Sequence, residues 1–327
     1  MSSDRSDELF TVRRYQYKNG DFEIDIPCVE KIALHPFMAF WGDNSKIAER
    51  LQAIQNMAIK GDDILVAAYP KCGTHWVWEI VSMIMKGKAD YQRDIKEELM
   101  IEGKIDLSSV GNGEACRLLN THFPYRFIPR KLIENGGKII HVTRNPKDMY
   151  VSLYHHAISS GLLGPKSENV TWNQYFNDYV FGEVQFYGTW FAYEREMSRA
   201  KKENKNILSV HFEKLKSDPV TEIQRLADFI NIHVTDNLVK DIVNKCDFKN
   251  LKKADKDVKS MGQEMKVLIE ASTKDNPSLK LPEIYRKGSV ADWKNHFTVA
   301  QNEKFDALIE IEMKDIDLDV FYEITNT

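Results

Sequence analysis

The sequence has no long apolar run, few cysteines and no large excess of one charge. No stretch approaches the ~18 uninterrupted apolar residues of a membrane-spanning helix, and the first residues show no apolar segment typical of a signal peptide. The cysteines at positions 28, 72, 116 and 246 form neither a C-x-x-C motif nor a His/Cys cluster at metal-ligand spacing. We therefore expect a cytoplasmic protein that has no membrane partner and holds no metal ion.

The charge balance argues against nucleic acid as the main partner. The 327 residues include 45 basic and 49 acidic side chains, for a net charge of −4, whereas domains that bind nucleic acid usually carry a net positive charge. A local basic pocket for a small anion remains compatible with this balance. The hydrophobic fraction of 43% is ordinary for a globular protein with a core.

Short apolar runs followed by helical patterns recur along the chain. DDILVAAYP (62–70), GKIIHVTRNP (137–146) and KNILSVHFEKLKSDP (205–219) each combine a buried strand with a loop, and a helical pattern follows each one. Strands that alternate with helices are typical of βαβ units. Because no linker composition divides residues 1–327, the sequence predicts a single α/β domain with a central parallel sheet flanked by helices.

Two segments do not follow this alternation. Residues 1–30 are expected to form a loosely ordered N-terminal segment. Residues 252–285 are polar, rich in lysine and weakly patterned, and a long unpatterned stretch inside a compact domain is often a functional lid. We therefore expect a lid at 252–285, and a last helix within 298–316.

The loop after the first of these strands combines a lysine with a glycine and a threonine. In YPKCGTHW (69–76), Lys71 precedes Gly73 and Thr74, whereas a Walker A loop ends on its lysine. Thr74 is the expected N-cap of the next helix. Ligands of doubly wound sheets bind beyond the carboxyl ends of the strands, at helix N-termini. This loop and residues 144–147 therefore favour a site for an anion with two phosphate-type groups, although Gly73 alone could simply permit a tight turn.

Four motifs resemble those of the cytosolic sulfotransferase family, in the same order. They are YPKCGTHW (69–76), NTHFP (120–124), TRNPKDMYVS (143–152) and YRKGSVADWKNHFTVAQNE (285–303). Members of that family transfer a sulfuryl group from 3′-phosphoadenosine 5′-phosphosulfate (PAPS) to an acceptor and release adenosine 3′,5′-bisphosphate (PAP). The resemblance implies PAPS as the co-substrate, a P-loop-like loop that binds its phosphosulfate, and no metal ion.

The resemblance also implies which residues bind PAPS. Lys71 would bond the 5′-phosphate side, Arg144 and Ser152 would bind the 3′-phosphate, and Trp76 and Phe248 would stack on the adenine. The complete expected set is Lys71, Cys72, Gly73, Thr74, His75, Trp76, Arg144, Ser152, Phe212, Cys246, Phe248, Arg286, Lys287 and Gly288.

A histidine is the expected general base. The reaction needs a group that takes the proton of an acceptor hydroxyl or amine, and the pKa of histidine lies near the working pH. By the resemblance, His122 is this base and Lys71 stabilises the charge on the leaving oxygen, with Ser152 and Asn120 in the same catalytic set. Family members often have lysine where Asn120 stands, so a lower rate is expected here.

The phosphate loop departs from the K-S-G-T-T-W pattern that is usual in the family. His75 could supply an N–H in place of a threonine hydroxyl. Cys72 either fills space or, at a helix N-terminus, is a thiol with a lowered pKa that oxidises readily. Phe212 stands where many relatives have tyrosine, so one polar contact to adenine is expected to be lost.

The acceptor is expected to be a small hydrophobic molecule such as a phenol, a sterol or another alcohol. An apolar cavity lined by aromatic residues would suit it, although each of the candidates could equally belong to the core. The candidates are Phe37, Phe40, Phe123 and His156, together with Trp41, Tyr154 and Trp172.

The segment KNHFTVAQNE (294–303) resembles the short dimer motif of the family. Its matching residues are Lys294, Thr298, Val299 and Glu303. A self-complementary segment of this kind pairs across a two-fold axis, so we expect a homodimer of modest strength.

Two other functions stay open at this point. An ATP- and Mg²⁺-dependent phosphotransferase would share a phosphate loop, but the order of residues in the loop and the lack of a Walker B strand ending in Asp argue against it. A nucleotide-binding protein without catalysis would not need both Lys71 and His122. The leading hypothesis is a PAPS-dependent sulfotransferase.

Overall fold

The computed structural model describes most of the chain. The residues it describes are 12–19, 22–29, 32–34, 44–91, 100–102, 116–164, 166–182, 185–261, 280 and 284–324. Of the predicted acceptor residues, Phe37, Phe40 and Trp41 lie outside these ranges. None of the helices in these ranges is long and apolar enough to cross a membrane.

The strands and helices alternate over much of the chain. The strands are Val12–Asn19 (β1), Phe22–Val29 (β2), Ile32–Ala33 (β3), Ile64–Ala68 (β4), Leu118–Thr121 (β5), Lys138–Thr143 (β6), Gln185–Phe186 (β7) and Ile207–His211 (β8). The helices are Asn44–Gln55 (α1), Thr74–Lys86 (α2), Arg130–Glu134 (α3), Pro146–Ser160 (α4), Trp172–Tyr175 (α5), Trp190–Glu203 (α6), Phe212–Ser217 (α7), Pro219–Ile230 (α8), Asp236–Lys245 (α9), Phe248–Met261 (α10) and Val299–Glu312 (α11).

A four-stranded parallel sheet lies at the centre, in the order β5-β4-β6-β8. All five residues of β4 are buried, because helices cover both faces of a parallel sheet and its strands are therefore apolar throughout. The predicted α/β domain with a central parallel sheet flanked by helices is confirmed.

The position of β4 creates a crevice at one edge of this sheet. The chain leaves β4 to form β5 on one side and then returns to form β6 on the other side. The loops after β4 and β6 therefore diverge to opposite faces, and the gap between them is where doubly wound folds bind their ligands. Lys71, His122 and Arg144 each follow one of these three strands.

A second sheet corrects the expectation of loose order for residues 12–19 and 22–29, whereas residues 1–11 lie outside the described residues. Strands β1 and β2 pair antiparallel from Val12 opposite Val29 to Asn19 opposite Phe22, and β3 pairs with both β2 and β7. The sequence does carry the signal for this hairpin. The dipeptide Gly-Asp at 20–21, between the paired residues Asn19 and Phe22, is one of the pairs that favour a two-residue hairpin turn, and apolar and polar residues alternate from position 22 to 26.

The structure changes the predicted start of α2 and places part of the predicted lid in a helix. The N-cap of α2 is Gly73, not Thr74, which is the first residue of the helix and whose side chain makes no capping bond. Residues 252–261 of the predicted lid belong to α10. The rest of that segment, apart from residues 280, 284 and 285, lies outside the described residues, so the lid stays a prediction.

Candidate active site

The loop between β4 and α2 has a backbone that few sequences can adopt. Both Lys71, with φ of 66°, and Gly73, with φ of 112°, lie in the left-handed region, which favours glycine. The carbonyl of Gly73 accepts hydrogen bonds from Trp76 N at 3.0 Å and Val77 N at 3.1 Å. The helix thus begins directly at the loop, and its first N–H groups point back to the crevice, which suits an anion.

Cys72 is a packing residue in this loop. Its side chain is fully buried, and burial raises the pKa of the thiol well above its ordinary value. The backbone N–H of Cys72 donates to the carbonyl of Tyr69 at 3.2 Å, so this group closes the turn rather than facing a ligand. Of the two interpretations of Cys72, the structure supports the space-filling one and argues against a readily oxidised thiol.

Arg144 connects the loop to the C-terminal part of the site. Its Nη1 donates to the carbonyl of Lys71 at 3.3 Å, and its Nη2 donates to the carbonyl of Ser289 at 3.0 Å. The guanidinium carbon lies 4.2 Å from the ring centroid of Phe212, a distance typical of a cation–π contact. Phe212 also meets Trp76 edge to face, with ring centroids 5.3 Å apart.

The segment that carries Arg286, Lys287 and Gly288 is docked on the N-terminus of α4. The carboxylate of Asp148 accepts hydrogen bonds from Ala291 N at 2.7 Å and Trp293 N at 2.8 Å. Within the segment, Asp292 accepts from Arg286 Nη2 at 2.6 Å and from Lys287 Nζ. Burial alone would raise the pKa of Asp292, but these two cations hold it well below its ordinary value.

Several polar atoms around the crevice are buried and lack a hydrogen-bond partner among the described residues. Buried polar groups in proteins are normally bonded, and guanidinium and hydroxyl groups are good donors to phosphate. These donors therefore fit an anionic ligand. The atoms are Thr74 Oγ1, Arg144 Nε, Arg286 Nε and Ser289 Oγ.

The tautomer of His122 follows from its surroundings. Its Nδ1 lies 2.7 Å from the carbonyl oxygen of Ala68, which can only accept, so Nδ1 carries the hydrogen. Burial, with a smaller effect from the charge of Lys71, lowers the pKa of His122 to about 4. The ring is therefore neutral near pH 7, and its Nε2 is the unprotonated nitrogen that can take up a proton.

Glu102 supports this histidine, and sequence reasoning missed it. Its carboxylate accepts from His122 N at 2.6 Å and from Thr121 Oγ1 at 2.8 Å, and burial raises its pKa to about 7. Its segment adds one bridge to the edge of the sheet, where Met100 pairs with Asn120. A single glutamate in an unpatterned segment offers no signal in the sequence.

Lys71 contacts a histidine of α4. Its Nζ lies 3.3 Å from Nδ1 of His156. Ser152, which was expected at the 3′-phosphate, lies four residues before His156 on the same helix and is half-buried. Residues four apart share one face of a helix, so α4 presents both side chains on the same side.

A family model described as "Sulfotransferase domain" matches residues 61–317, which contain all of these groups. The chain belongs to the sulfotransferase family. Two curated relatives are sulfotransferase 1C2 from Rattus norvegicus, 33% identical over 80% of this chain and 86% of its own, and sulfotransferase 1C2 from Oryctolagus cuniculus, 31% identical over 85% and 92%. A structure of mouse sulfotransferase SULT7A1 complexed with PAP is 28% identical, with a TM-score of 0.65 over 82% of this chain and 91% of that one.

Of the predicted acceptor residues of this sulfotransferase, one lies beside His122 and two pack elsewhere. Phe123 packs beside His122 and is 5.9 Å from the ring of Tyr187, which in turn is 5.5 Å from His122. Tyr187 was not predicted. Tyr154 and Trp172 instead pack on each other at 5.5 Å, and both bond other parts of the chain, which supports a core role for them.

Two further predicted nucleotide residues lie on or next to α10. Phe248 is its first residue, and Cys246, just before it, is buried with its Sγ 3.8 Å from Met83 Sδ. His75 is the second residue of α2 and is half-buried, whereas Asn120 is buried within β5. The roles expected for these side chains remain predictions.

The dimer segment is accessible in this chain. Lys294, Thr298, Val299 and Glu303 are all exposed, and Val299 keeps 77% of its accessible surface. Thr298 is the N-cap of α11 and forms a capping box with Gln301.

We expect Gly288→Ala to lower the free energy of unfolding more than Gly87→Ala does. Both glycines lie in the left-handed region, with φ of 65° and 64°, so both substitutions carry a backbone cost of about 1 kcal/mol. Only at Gly288 would the new Cβ collide with a neighbour, at 2.1 Å from the ring of Phe248, whereas nothing lies within 4 Å at Gly87. Urea denaturation of the two variants measures the difference, and equal losses would show that Phe248 does not pack on Gly288.

Proposed function

We propose that this protein transfers the sulfuryl group of PAPS to the hydroxyl or amine of a small hydrophobic acceptor, such as a phenol, a sterol or another alcohol. The observation that carries the proposal is that β4, β5 and β6 end side by side and are followed by Lys71, His122 and Arg144. An anion site, a neutral base and a second anion site thus meet at one edge of the sheet.

Each of the two anion sites would bind a different charged group of PAPS. The loop at 71–74 would bind the phosphosulfate, and Arg144, Ser152 and residues 286–288 would bind the 3′-phosphate. The buried donors without partners at Thr74, Arg144 and Arg286 support this assignment, since phosphate oxygens would satisfy them. The similar mouse sulfotransferase is described as a complex with PAP.

His122 would act as the general base. With Nδ1 bound to the carbonyl of Ala68, its Nε2 is the atom that accepts the proton of the acceptor as the acceptor oxygen or nitrogen attacks sulfur. Glu102 holds the backbone of this residue through His122 N. A base that is kept in one tautomer and one orientation loses little entropy in the transition state.

Lys71 would stabilise the leaving oxygen between phosphorus and sulfur. Its charge contributes to the lowered pKa of His122, which supports a place for both groups at the same end of the crevice. Charge that develops on the leaving oxygen is best stabilised by a cation that is already in position. The acceptor would lie beside His122, against Phe123 and Tyr187, with His156 near Lys71.

We also propose a cytoplasmic homodimer formed through Lys294, Thr298, Val299 and Glu303. Among these four residues Val299 is the one with an apolar side chain, and it is exposed, so the motif offers a small apolar patch. Nucleic acid is not a proposed partner, because the net charge is −4.

We expect PAP to raise the melting temperature without added metal, and ATP to raise it much less. A ligand that binds only the native state at 100 times its Kd adds about 2.7 kcal/mol of stability, and ATP lacks the 3′-phosphate that Arg144 would bind. Arg144→Ala should reduce the shift with PAP, whereas Arg199→Ala, an exposed arginine paired with Asp315, serves as the control. Equal shifts with PAP and ATP would contradict the assigned 3′-phosphate site.

We expect His122→Ala to lower kcat by about 10² to 10⁴, the usual contribution of a general base, while the Kd of PAP changes little. Lys71→Ala should weaken PAPS binding and lower kcat, because its charge meets the phosphosulfate before and during transfer. The loss in His122→Ala should be smaller for an acidic phenol that is already ionised than for an aliphatic alcohol. Steady-state kinetics over acceptors of different pKa measures this, and equal losses would mean that another residue is the base.

We expect Val299→Glu to shift the protein to monomer in sedimentation velocity, because a buried glutamate at the centre of a small interface opposes association. Ile311→Glu is the matched control, since Ile311 is also on α11 and keeps 63% of its surface. If both variants sediment as the unchanged protein does, these four residues do not form a dimer interface.

A further inference from the structure

We propose that His156 is a positioning residue that fixes the ammonium of Lys71 at the reacting end of the site. The inference rests on the proposed function and adds one residue to its machinery. The contact joins the loop after β4 to α4, with Lys71 Nζ 3.3 Å from His156 Nδ1.

The chemistry of the two groups fixes the direction of this contact. A lysine ammonium has three donors and no acceptor. Nδ1 of His156 must therefore be unprotonated where the two meet, which leaves the hydrogen of the neutral ring on Nε2. A protonated His156 would instead place two cations against each other, so the observed pair requires a neutral histidine.

His156 adds a restraint on the side chain of Lys71 to the restraints on its main chain. The backbone of Lys71 is held in the left-handed region, and its carbonyl accepts from Arg144 Nη1 at 3.3 Å. These contacts fix the main chain, and the side chain adds a stem of four methylene groups, which carries about 2 kcal/mol of rotamer entropy. The contact with His156 restrains the far end of that stem.

The support for His156 comes from a rigid element. Helix α4 runs from Pro146 to Ser160 and has Gly161 as its C-cap, and the carbonyl of His156 accepts from Ser160 Oγ at 2.6 Å. Ser152 lies one turn earlier on the same face. One helix would therefore bind the 3′-phosphate through Ser152 and hold the lysine at the 5′ end through His156.

The neighbouring residue His155 provides a matched control. Its Nε2 lies 2.9 Å from Nε2 of His296, so it links α4 to the C-terminal segment rather than to Lys71. A His155→Phe variant loses a histidine from the same turn of the same helix without removing the contact with the lysine.

Three variants separate the role of the hydrogen-bond acceptor atom of His156 from that of its ring. His156→Phe keeps a ring but has no hydrogen-bond acceptor, His156→Asn places an amide oxygen near the position of Nδ1, and His156→Gln places it near the position of Nε2.

Two properties of these variants should be measured. They are the rate at which Lys71 reacts with an N-hydroxysuccinimide acetate at fixed pH without nucleotide, read by peptide mass spectrometry, and kcat with PAPS and the best acceptor from a panel.

The contact stabilises the ammonium, so His156→Phe should make Lys71 react several-fold faster, whereas His155→Phe should not. A misplaced catalytic group costs up to about 10² in rate, so kcat of His156→Phe should fall by about 10- to 100-fold with the Kd of PAP within about threefold of the unchanged protein. His156→Asn should recover both properties better than His156→Gln. In a Lys71→Arg background, the effect of His156→Phe on kcat should shrink, since coupled residues are not additive.

The proposal fails if His156→Phe changes neither the reactivity of Lys71 nor kcat, or if His156→Asn recovers no more than His156→Gln. Failure of the proposed function looks different. In that case the unchanged protein transfers no sulfuryl group from PAPS to any acceptor, while the acetylation of Lys71 still reports whether His156 holds it.

Discussion

The site depends on one constraint, which is that β4 is hydrogen-bonded to a parallel strand on each side. Val66 pairs with Asn120 of β5 and with Ile140 of β6, so a single register aligns the ends of three strands. A one-residue slip would turn every side chain of a strand to the other face, and it would also displace the loop that follows. The carbonyl of Ala68 at the end of β4 is itself the group that orients His122.

Around this sheet, two buried aspartates are hydrogen-bonded, whereas several buried donors have no partner among the described residues. Asp148 and Asp292 are buried, yet each receives several hydrogen bonds. Thr74, Arg144 and Arg286 each retain a buried atom without a partner among the described residues. Such groups oppose folding unless a ligand bonds them. An anionic ligand in the crevice would bond these three donors.

Much of the fold could be predicted from local patterns, because a buried parallel strand requires an apolar run and a helix requires its own period. Lys71 and Arg144 could be placed at the carboxyl ends of strands because each follows an apolar run and precedes a helical pattern. The capping of α2 could not be predicted, since both Gly73 and Thr74 suit that position and only the left-handed φ of Gly73 decides between them. The hairpin of β1 and β2 could have been predicted from the Gly-Asp pair at 20–21.

Other parts of the site depend on tertiary packing, which no local pattern records. Glu102 reaches His122 only because its segment forms a bridge at the edge of β5. The contact of His156 with Lys71 depends on how α4 is rotated about its own axis, and a period of 3.6 residues fixes the apolar face of a helix but not its exact rotation. Tyr187 lies beside His122 across a large separation in sequence.

The second sheet and α1 show that the segment matched by the family model is smaller than the unit that folds. Residues before position 61 include Ile47, Leu51 and Ile54, which are buried in the core. Arg50 Nη2 donates to the carbonyl of Ile101, the residue next to Glu102. A chain trimmed to residues 61–317 would thus lose part of its core and the contact that supports the segment bonded to His122. Sequence similarity thus identifies the residues that the family shares, whereas core packing decides which residues the chain needs in order to fold stably.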